Sequence, residues 1–482
     1  MADTNGNIPT QLVIGGERRA SSDGEEIEVV DPGTGEVIAA VASGSPEDAL
    51  DAVAAAQDAL PGWRSTTPRE RGELLRAVFE RMRAERDSLA ELIVRENGKA
   101  LPDALGEVDY AAEFFRWFSE EAVRIDGHIS TAPSGKNRIV ALRQPVGVSV
   151  LVTPWNFPAA MATRKIGPAL AAGCTVVLKP ASDTPLTALV LADMMRDVGV
   201  PPGVVNVVPS KRSSKVVNAM LGDPRVRKLS FTGSTEVGRV LLKAASESVI
   251  NCSMELGGNA PFLIFADADL DAAVEGAMVA KMRNGGESCI AANRFYVEAS
   301  IADDFAKRLA ESMSNMKVGY GLDPGVQVGP LISSSARDEV EELVGASVDR
   351  GAAVLTGGKS SQGRGYFFPP TVLGDVPPDA PILEEEVFGP VAPIVPFDGE
   401  QQVIDLANNT PYGLASYLYT GDLARGMAVA EALETGMVGI NRGFISDPAA
   451  PFGGVKQSGL GREGGHDGLL EFMETKYIAV DW

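Results

Sequence analysis

Cysteine and histidine are scarce in this chain: 3 cysteines and 2 histidines among 482 residues. Cys174, Cys252 and Cys289 are odd in number and widely spaced, which fits neither a zinc site nor a disulfide framework. His128 and His466 lie in the loop-like contexts "DGHIS" and "GGHDG", so no histidine metal cluster is expected and a Ser-His or Cys-His pair is poorly supported. Basic residues are outnumbered, 43 Lys+Arg against 65 Asp+Glu, for a net charge of −22. That balance argues against nucleic acid or an anionic membrane as a partner. Long apolar runs are missing too; "VGVSVLVTPW" and "CTVVLKPA" are too short to span a bilayer. The opening "MADTNGNIPTQ" has neither the basic nor the apolar part of a secretion signal. The expectation is an acidic, soluble, cytoplasmic protein with no metal site.

What is present is a large apolar fraction, 45%, and 52 glycines, enough for a sizeable core with many tight turns. The length fits roughly three domains or two large ones. Residues 46–59 and 69–96 have the spacing of helices, the second ending at Asn97-Gly98. From residue 146 short apolar runs alternate with helical patterns. "VSVLV" precedes a helix around 158–171, "TVVLK" one around 184–198, "VVNVV" one around 213–221 and "KLSF" one around 236–246. Such alternation predicts an α/β fold with a parallel, doubly wound sheet. A second α/β block opens with "PFLIF" and "RFYVEAS" and continues to about residue 440. Residues 127–145 have the pattern of an extended hairpin, and the tail "FMETKYIAVDW" ends in a strand-like run. Both offer edges for pairing with another subunit, or are ordinary surface strands.

One dinucleotide fingerprint occurs, Gly459-Leu-Gly461-Arg-Glu-Gly464, but no predicted strand precedes it and no acidic partner can follow about 20 residues on. "FTGSTEVG" (231–238) is a better phosphate turn, because it follows a strand and opens a helix. Taken alone it is a weak signal, since many strand-to-helix turns carry Gly-Ser for steric reasons.

Seven stretches then converge in order: "TPWNFP" (153–158), "LKPASDTP" (178–185), "FTGSTEVG", "MELGGNAP" (254–261), "GGESC" (285–289), "EEVFGP" (385–390) and "PFGGVKQSGLGREGG" (451–465). Together they resemble the aldehyde dehydrogenase superfamily over nearly the whole chain, and "NFPAAMATRKIGPALAAGCTVVLKPASDTP" resembles succinate-semialdehyde dehydrogenases most. The resemblance implies a Rossmann-like cofactor domain (1–126 and 146–257), an α/β catalytic domain (258–457) and a small β oligomerisation extension (127–145 and 458–482), in a homodimer or homotetramer.

The resemblance also implies the chemistry. Cys289 is the nucleophile: a thiolate adds to the aldehyde, hydride leaves and the resulting thioester hydrolyses. With no histidine nearby, its pKa would be lowered by backbone dipoles and cofactor charge. Asn156, with the Cys289 N–H, forms the oxyanion hole, and Glu255 is the general base. Cys174 and Cys252 read as packing residues. Thr153, Pro154, Trp155, Lys179, Ser182, Gly233, Ser234, Leu256, Glu386 and Phe388 match cofactor-binding positions. Ser182 stands where relatives preferring NAD⁺ often carry glutamate, so with Lys179 it points to NADP⁺, with dual use open. Lys211 and Arg212 either add positive charge there or belong to a solvated loop.

Phe157, Met161 and Arg164 are spaced along one helix face, and Arg283 lies six residues before Cys289. Two arginines at pocket positions suggest a small aldehyde with a carboxylate at its far end, namely succinate semialdehyde or a near relative, with Ser458 adding a hydroxyl. The bland alternative is that these arginines pair with acids inside the fold. Glu287 replaces a glutamine common in the family and would raise the neighbouring thiol's pKa, and Arg442 sits where the pocket mouth is expected, facing in or out. Other readings are glutarate semialdehyde or an uncharged aldehyde as substrate, a CoA-acylating enzyme, against which Glu255 argues, and a non-catalytic relative, against which Asn156, Glu255 and Cys289 together argue.

Overall fold

The computed structural model describes residues 8–361 and 363–481. Residues 1–7, most of the stretch read as unlike a secretion signal, lie outside them.

The strand–helix alternation builds an eight-stranded sheet whose centre is parallel. Strands Val148–Val152 and Thr175–Lys179 are buried at every residue, as expected of apolar runs covered by helices on both faces. In space the parallel strands run 251–255, 226–232, 148–152, 175–179, 205–207. The chain winds outward from 148–152 and then returns to its other side. The reversal falls between Val148–Val152 and Val226–Thr232, and ligands of such sheets bind beyond the carboxyl ends of the strands at that point. The segments found there are 153–156 and 233–234. The hairpin Leu12–Ile14 and Glu17–Arg19 closes one edge. Gly459–Leu460 pairs antiparallel to Asn251–Glu255 on the other. The discarded glycine fingerprint therefore lies along a sheet edge.

A second sheet of seven strands has the order 353–356, 371–374, 391–397, 292–298, 260–264, 415–419, 437–440, parallel except for its first pair. Three motif segments, 257–258, 289 and 386–388, immediately precede strands Ala260–Ile264, Ala292–Glu298 and Val391–Phe397. The second sheet thus turns the amino ends of its strands toward the carboxyl ends of the first.

His128–Thr131, Arg138–Pro145 and Met473–Val480 form a separate antiparallel sheet. Its Ile129, Leu142, Tyr477 and Ile478 are exposed. Within 458–482 only the last strand joins this sheet, because Gly459–Leu460 is bound into the eight-stranded one.

The expected helix 69–96 is two helices, Pro68–Ala84 and Arg86–Asn97, since Glu85 leaves helical geometry at φ −108°, ψ 21°. Gly98 ends the second in a left-handed turn, φ 94°. Helix Leu101–Glu121 gave no clear sequence signal because its buried stripe includes the small residues Ala104, Ala111 and Ala112. Among the described residues no helix is long and apolar enough to cross a membrane, and no group of three or more His, Cys, Asp or Glu side chains could hold a metal ion.

Candidate active site

A cavity of about 230 Å³ lies where the two sheets face each other. Pro154, Trp155 and Asn156 reach its wall from the end of strand Val148–Val152, with Phe157, Met161 and Arg164 on the segment that follows. Gly233 and Ser234 come from the turn after Val226–Thr232, and Leu256 from just beyond Asn251–Glu255. Arg283, Cys289, Glu386 and Phe388 come from the second sheet's side. Residues 110 to 452 thus converge on one space. Thr153, Lys179, Ser182, Glu255 and Ser458 are not on its wall.

Asn156 is held by a buried ion pair. Lys99 Nζ lies 2.5 Å from Glu107 Oε2 and donates to the Asn156 carbonyl at 2.8 Å. The other Glu107 oxygen accepts the Ala159 N–H at 2.8 Å, at the otherwise uncapped start of helix Ala160–Ala172. Glu107 and Lys99 carry no local signature of this role, and neither was found from the sequence. The Asn156 amide donates to the Glu287 carbonyl at 3.2 Å, and its Oδ1 is buried with no hydrogen-bond partner.

The loop before Cys289 needs its glycines. Gly286 has φ 84°, and a Cβ there would lie 2.2 Å from the Gly389 carbonyl oxygen. Across the loop, a Cβ on Gly258 would lie 2.3 Å from the Cys289 carbonyl oxygen. Asn284, at φ 56°, stitches the loop by donating to the Asn156 carbonyl at 3.0 Å and the Glu287 carbonyl at 2.9 Å.

Burial pushes the Cys289 thiol up to about 12, with Glu386, Glu255 and Glu463 adding to the effect and Arg164 opposing it. The expected lowering is therefore not a property of the protein alone, since no dipole or charge in the loop offsets desolvation. Glu287 is not among the causes of that rise. Its carboxyl is turned to the Ile332 N–H at 3.0 Å and burial raises it to about 8, so it is largely neutral at pH 7.

Glu255 is buried and neither of its oxygens has a hydrogen-bond partner. It sits off the wall, among Glu463, Arg164, Lys165 and Arg462. Burial first, then Glu463, raises its carboxyl well above the usual range. A proton-accepting role requires the side chain to turn into the cavity.

The residues expected at a nucleotide fit one. Ser234 caps helix Thr235–Ser246, leaving that helix start beside the cavity. The Glu386 Oε1 accepts the Gly258 N–H at 3.0 Å. Trp155 and Phe388 meet edge to face, ring centres 5.5 Å apart. Lys179 is buried at the end of its strand, its amine pushed down to about 8, with no acid in ion-pair reach among the described residues. Such an amine suits an acceptor supplied by a ligand. Ser182 donates to the Ser210 carbonyl at 2.9 Å, which explains its absence from the wall. Lys211 pairs with Glu25, and Arg212 with Asp23 at 2.5 Å, so neither charge is free.

Residues 19–478 match the aldehyde dehydrogenase family. The chain belongs to that family. A succinate-semialdehyde dehydrogenase of Paenarthrobacter nicotinovorans is 55% identical over 92% of this chain and 99% of its own length. The Escherichia coli K12 succinate-semialdehyde dehydrogenase named for NADP(+) is 48% identical over 98% of this chain and 97% of its own. A crystal structure of succinate-semialdehyde dehydrogenase from Burkholderia pseudomallei superposes with a TM-score of 0.97 at 48% identity, covering 98% of both chains. The α/β architecture is thus the aldehyde dehydrogenase fold.

Within this aldehyde dehydrogenase the two arginines differ. Arg164 Nε lies 2.7 Å from Glu463 Oε2 and its guanidinium stacks 3.9 Å from the Phe452 ring centre. Arg164 reaches the wall, but the internal-pairing alternative holds for it. Arg283 makes no ion pair or hydrogen bond to any described residue. It stands among rings, 4.8 Å from the centres of Phe157 and Phe444 and 5.6 Å from Tyr110.

Ser458 corrects the sequence reading. It is fully buried, donates to the Gly257 carbonyl at 2.7 Å and accepts the Gly413 N–H at 2.9 Å, so its hydroxyl is spent on the main chain. Ser446, on the wall, hydrogen-bonds Tyr110 there. Both were missed, although Ser446 lies in "FISDP", inside the stretch suspected of lining the mouth. Arg442 is exposed, bonds the Phe444 carbonyl and faces outward.

Proposed function

We propose that this aldehyde dehydrogenase oxidises a small aldehyde bearing a distal carboxylate, succinate semialdehyde first, to the corresponding acid. The observation that carries the reading is Arg283, a guanidinium on the cavity wall with no acid in ion-pair reach among the described residues, Asp103 acting on it only from farther off. A half-buried cation on the wall favours an anionic ligand, and Ser446 and Tyr110 add hydroxyls beside it. The names of the similar enzymes from Paenarthrobacter and Escherichia coli support the same substrate.

In this reading Phe157 and Met161 flank the short carbon chain while Cys289 adds to the aldehyde carbon. Asn156 Nδ2 and the Cys289 N–H take the charge on the resulting oxygen. Bound NADP⁺ or NAD⁺ supplies the hydride acceptor. Loss of hydride from the thiohemiacetal leaves a thioester on Cys289. Glu255, turned into the cavity, takes a proton from water as that water attacks the thioester, and the acid leaves with the thiol restored. Thr153, Pro154, Trp155, Leu256 and Phe388 would hold the nicotinamide half of that cofactor, Glu386 would accept from its ribose, and Gly233 and Ser234 would bind the pyrophosphate. Lys179 and Ser182 would serve the adenosine half.

NADP⁺ is the preferred cofactor in this reading, with NAD⁺ also used. Ser182 brings no charge against a 2′-phosphate, and Lys179 offers an amine without an acid partner. The exposed three-stranded sheet supports a homodimer or homotetramer built through residues 127–145 and the strand Met473–Val480.

The test is an aldehyde panel with both cofactors and no CoA: succinate semialdehyde, glutarate semialdehyde and butanal, followed by reduced-cofactor absorbance and acid formation. The expected order has succinate semialdehyde with NADP⁺ highest. Equal kcat/KM for butanal, or a clear preference for NAD⁺, would overturn the respective part of the reading.

A further inference from the structure

Five lysines are buried, Lys99, Lys165, Lys179, Lys228 and Lys281, and among them Lys179, placed at the cofactor above, and Lys281 have no acid in ion-pair reach among the described residues. Lys99, Lys165 and Lys228 each have a carboxylate in ion-pair reach: Glu107 at 2.5 Å, Glu463 at 2.5 Å and Glu471 at 3.1 Å. Lys281, in the last turn of helix Leu270–Met282, is 0% exposed and has no carboxylate within 4.0 Å among the described residues. Its Nζ donates instead to Asn293 Oδ1 at 2.8 Å and to the Val387 carbonyl at 3.4 Å. Val387 follows Glu386, whose carboxylate stands on the cavity wall. Burying an amine without a counter-charge in contact is costly, so such an arrangement calls for a reason.

We infer that Lys281 is a positioning residue for Glu386: it ties the Glu386–Val387 main chain to strand Ala292–Glu298 and sets a positive charge behind the carboxylate that receives the cofactor ribose. The inference rests on the reading of Glu386 given above. The charges around the two groups support it. Among the described residues Lys281 favours the charged form of Glu386, Glu236 opposes it, and Glu386 favours the charged form of Lys281. Cys289 and Tyr412 also face Glu386, both neutral at pH 7 and both raised by it. Burial brings the Glu386 carboxyl up to about 7 and the Lys281 amine down to about 7, so the state of this pair changes across the physiological range. The amine's charge favours the ionised carboxylate, which accepts hydrogen bonds at both oxygens.

The experiment uses Lys281→Gln, which keeps an amide donor and removes the charge, alongside Glu386→Gln and the double variant. NADP⁺ affinity of the full-length protein is measured by fluorescence titration from pH 6 to 9. In the unmodified protein affinity should rise with pH through about 7. If the charge on Lys281 holds the Glu386 carboxyl down by about one unit, Lys281→Gln binds about fivefold more weakly at pH 7 and recovers by pH 9. In the Glu386→Gln background it should add nothing. An equal loss at every pH, or the same loss without the Glu386 carboxylate, would mark Lys281 as merely structural and overturn the inference. The Glu386 carboxyl is also followed directly in cofactor-free protein by infrared difference spectra against Glu386→Gln. Its titration must move upward in Lys281→Gln, and absence of movement overturns the inference. A shifted titration with unchanged NADP⁺ binding in Glu386→Gln would instead sink the ribose reading. Should Lys281→Gln fail to fold, Asn293→Asp places an acid on the Lys281 amine and must shift the titration the same way.

Discussion

Arg283→Leu isolates substrate recognition from folding. The leucine keeps apolar contact with Phe157, Phe444 and Tyr110 and removes only the guanidinium. A hydrogen bond to a charged group is worth about 1.5–3 kcal/mol, and about 1.4 kcal/mol is tenfold. Losing one such bond to the substrate carboxylate should lower kcat/KM for succinate semialdehyde by about 10- to 150-fold. Butanal, with the same carbon count and no carboxylate, should change by less than about threefold, because it makes no such bond to lose. The thermal midpoint should move little, since no ion pair within 4 Å is broken and Asp103, on which Arg283 acts at longer range, keeps Lys99 and the Asn284 N–H. Arg164→Leu is the contrast. It strips Glu463 of one of its two cations, Lys165 being the other, and leaves a deeply buried carboxylate less compensated. That variant should lose stability as well as activity, and on both aldehydes. The assay is steady-state kinetics of each variant on both aldehydes with a melting curve. Parallel losses on the two substrates in Arg283→Leu would refute carboxylate anchoring by this residue.

The serines provide a paired check. Ser458→Ala breaks two main-chain hydrogen bonds and should cost about 1–3 kcal/mol of stability with KM for succinate semialdehyde unchanged, whereas Ser446→Ala should raise that KM with little effect on melting. A raised KM in Ser458→Ala at full stability would reinstate it as a substrate contact. The thiol can be titrated by its reactivity. With the Cys289 thiol near 12, its thiolate fraction and so its alkylation rate in cofactor-free protein should climb about tenfold per pH unit from 7 to 10. A plateau below pH 9, read by mass spectrometry of the Cys289 peptide, would show that the thiol titrates far lower.

Much of the scaffold was legible because it rests on short-range patterns. Short, mostly apolar runs rich in valine and alternating with helical patterns fit strands covered on both sides, so Val148–Val152 and Thr175–Lys179 were found at their ends. Gly98 stopped its helix as Asn97-Gly98 suggested. Helix 69–96 was misjudged because the break at Glu85 leaves the apolar spacing intact. The hairpin Leu12–Ile14 and Glu17–Arg19 went unseen because its strands are three residues each, too short for a period to register. In the site, segments flanking the strands were found and their supports were not. Lys99 and Glu107 act on Asn156 from 57 and on Ala159 from 52 residues away, a relation with no local signature.

The sequence by itself determined the doubly wound sheet, the family, and which stretches meet, because periodicity and motif order are properties of neighbours in the chain. Only the tertiary structure decided which arginine is free, which serine faces the cavity, where Glu255 points and which way the Cys289 thiol is shifted. Arg164 and Lys165 owe their pairing to Glu463, 298 residues beyond Lys165. Arg283 owes its freedom to the lack of an acid within ion-pair reach among the described residues. Charge, burial and partner are set by what lies within a few ångströms, and in this fold those neighbours come from opposite ends of the chain.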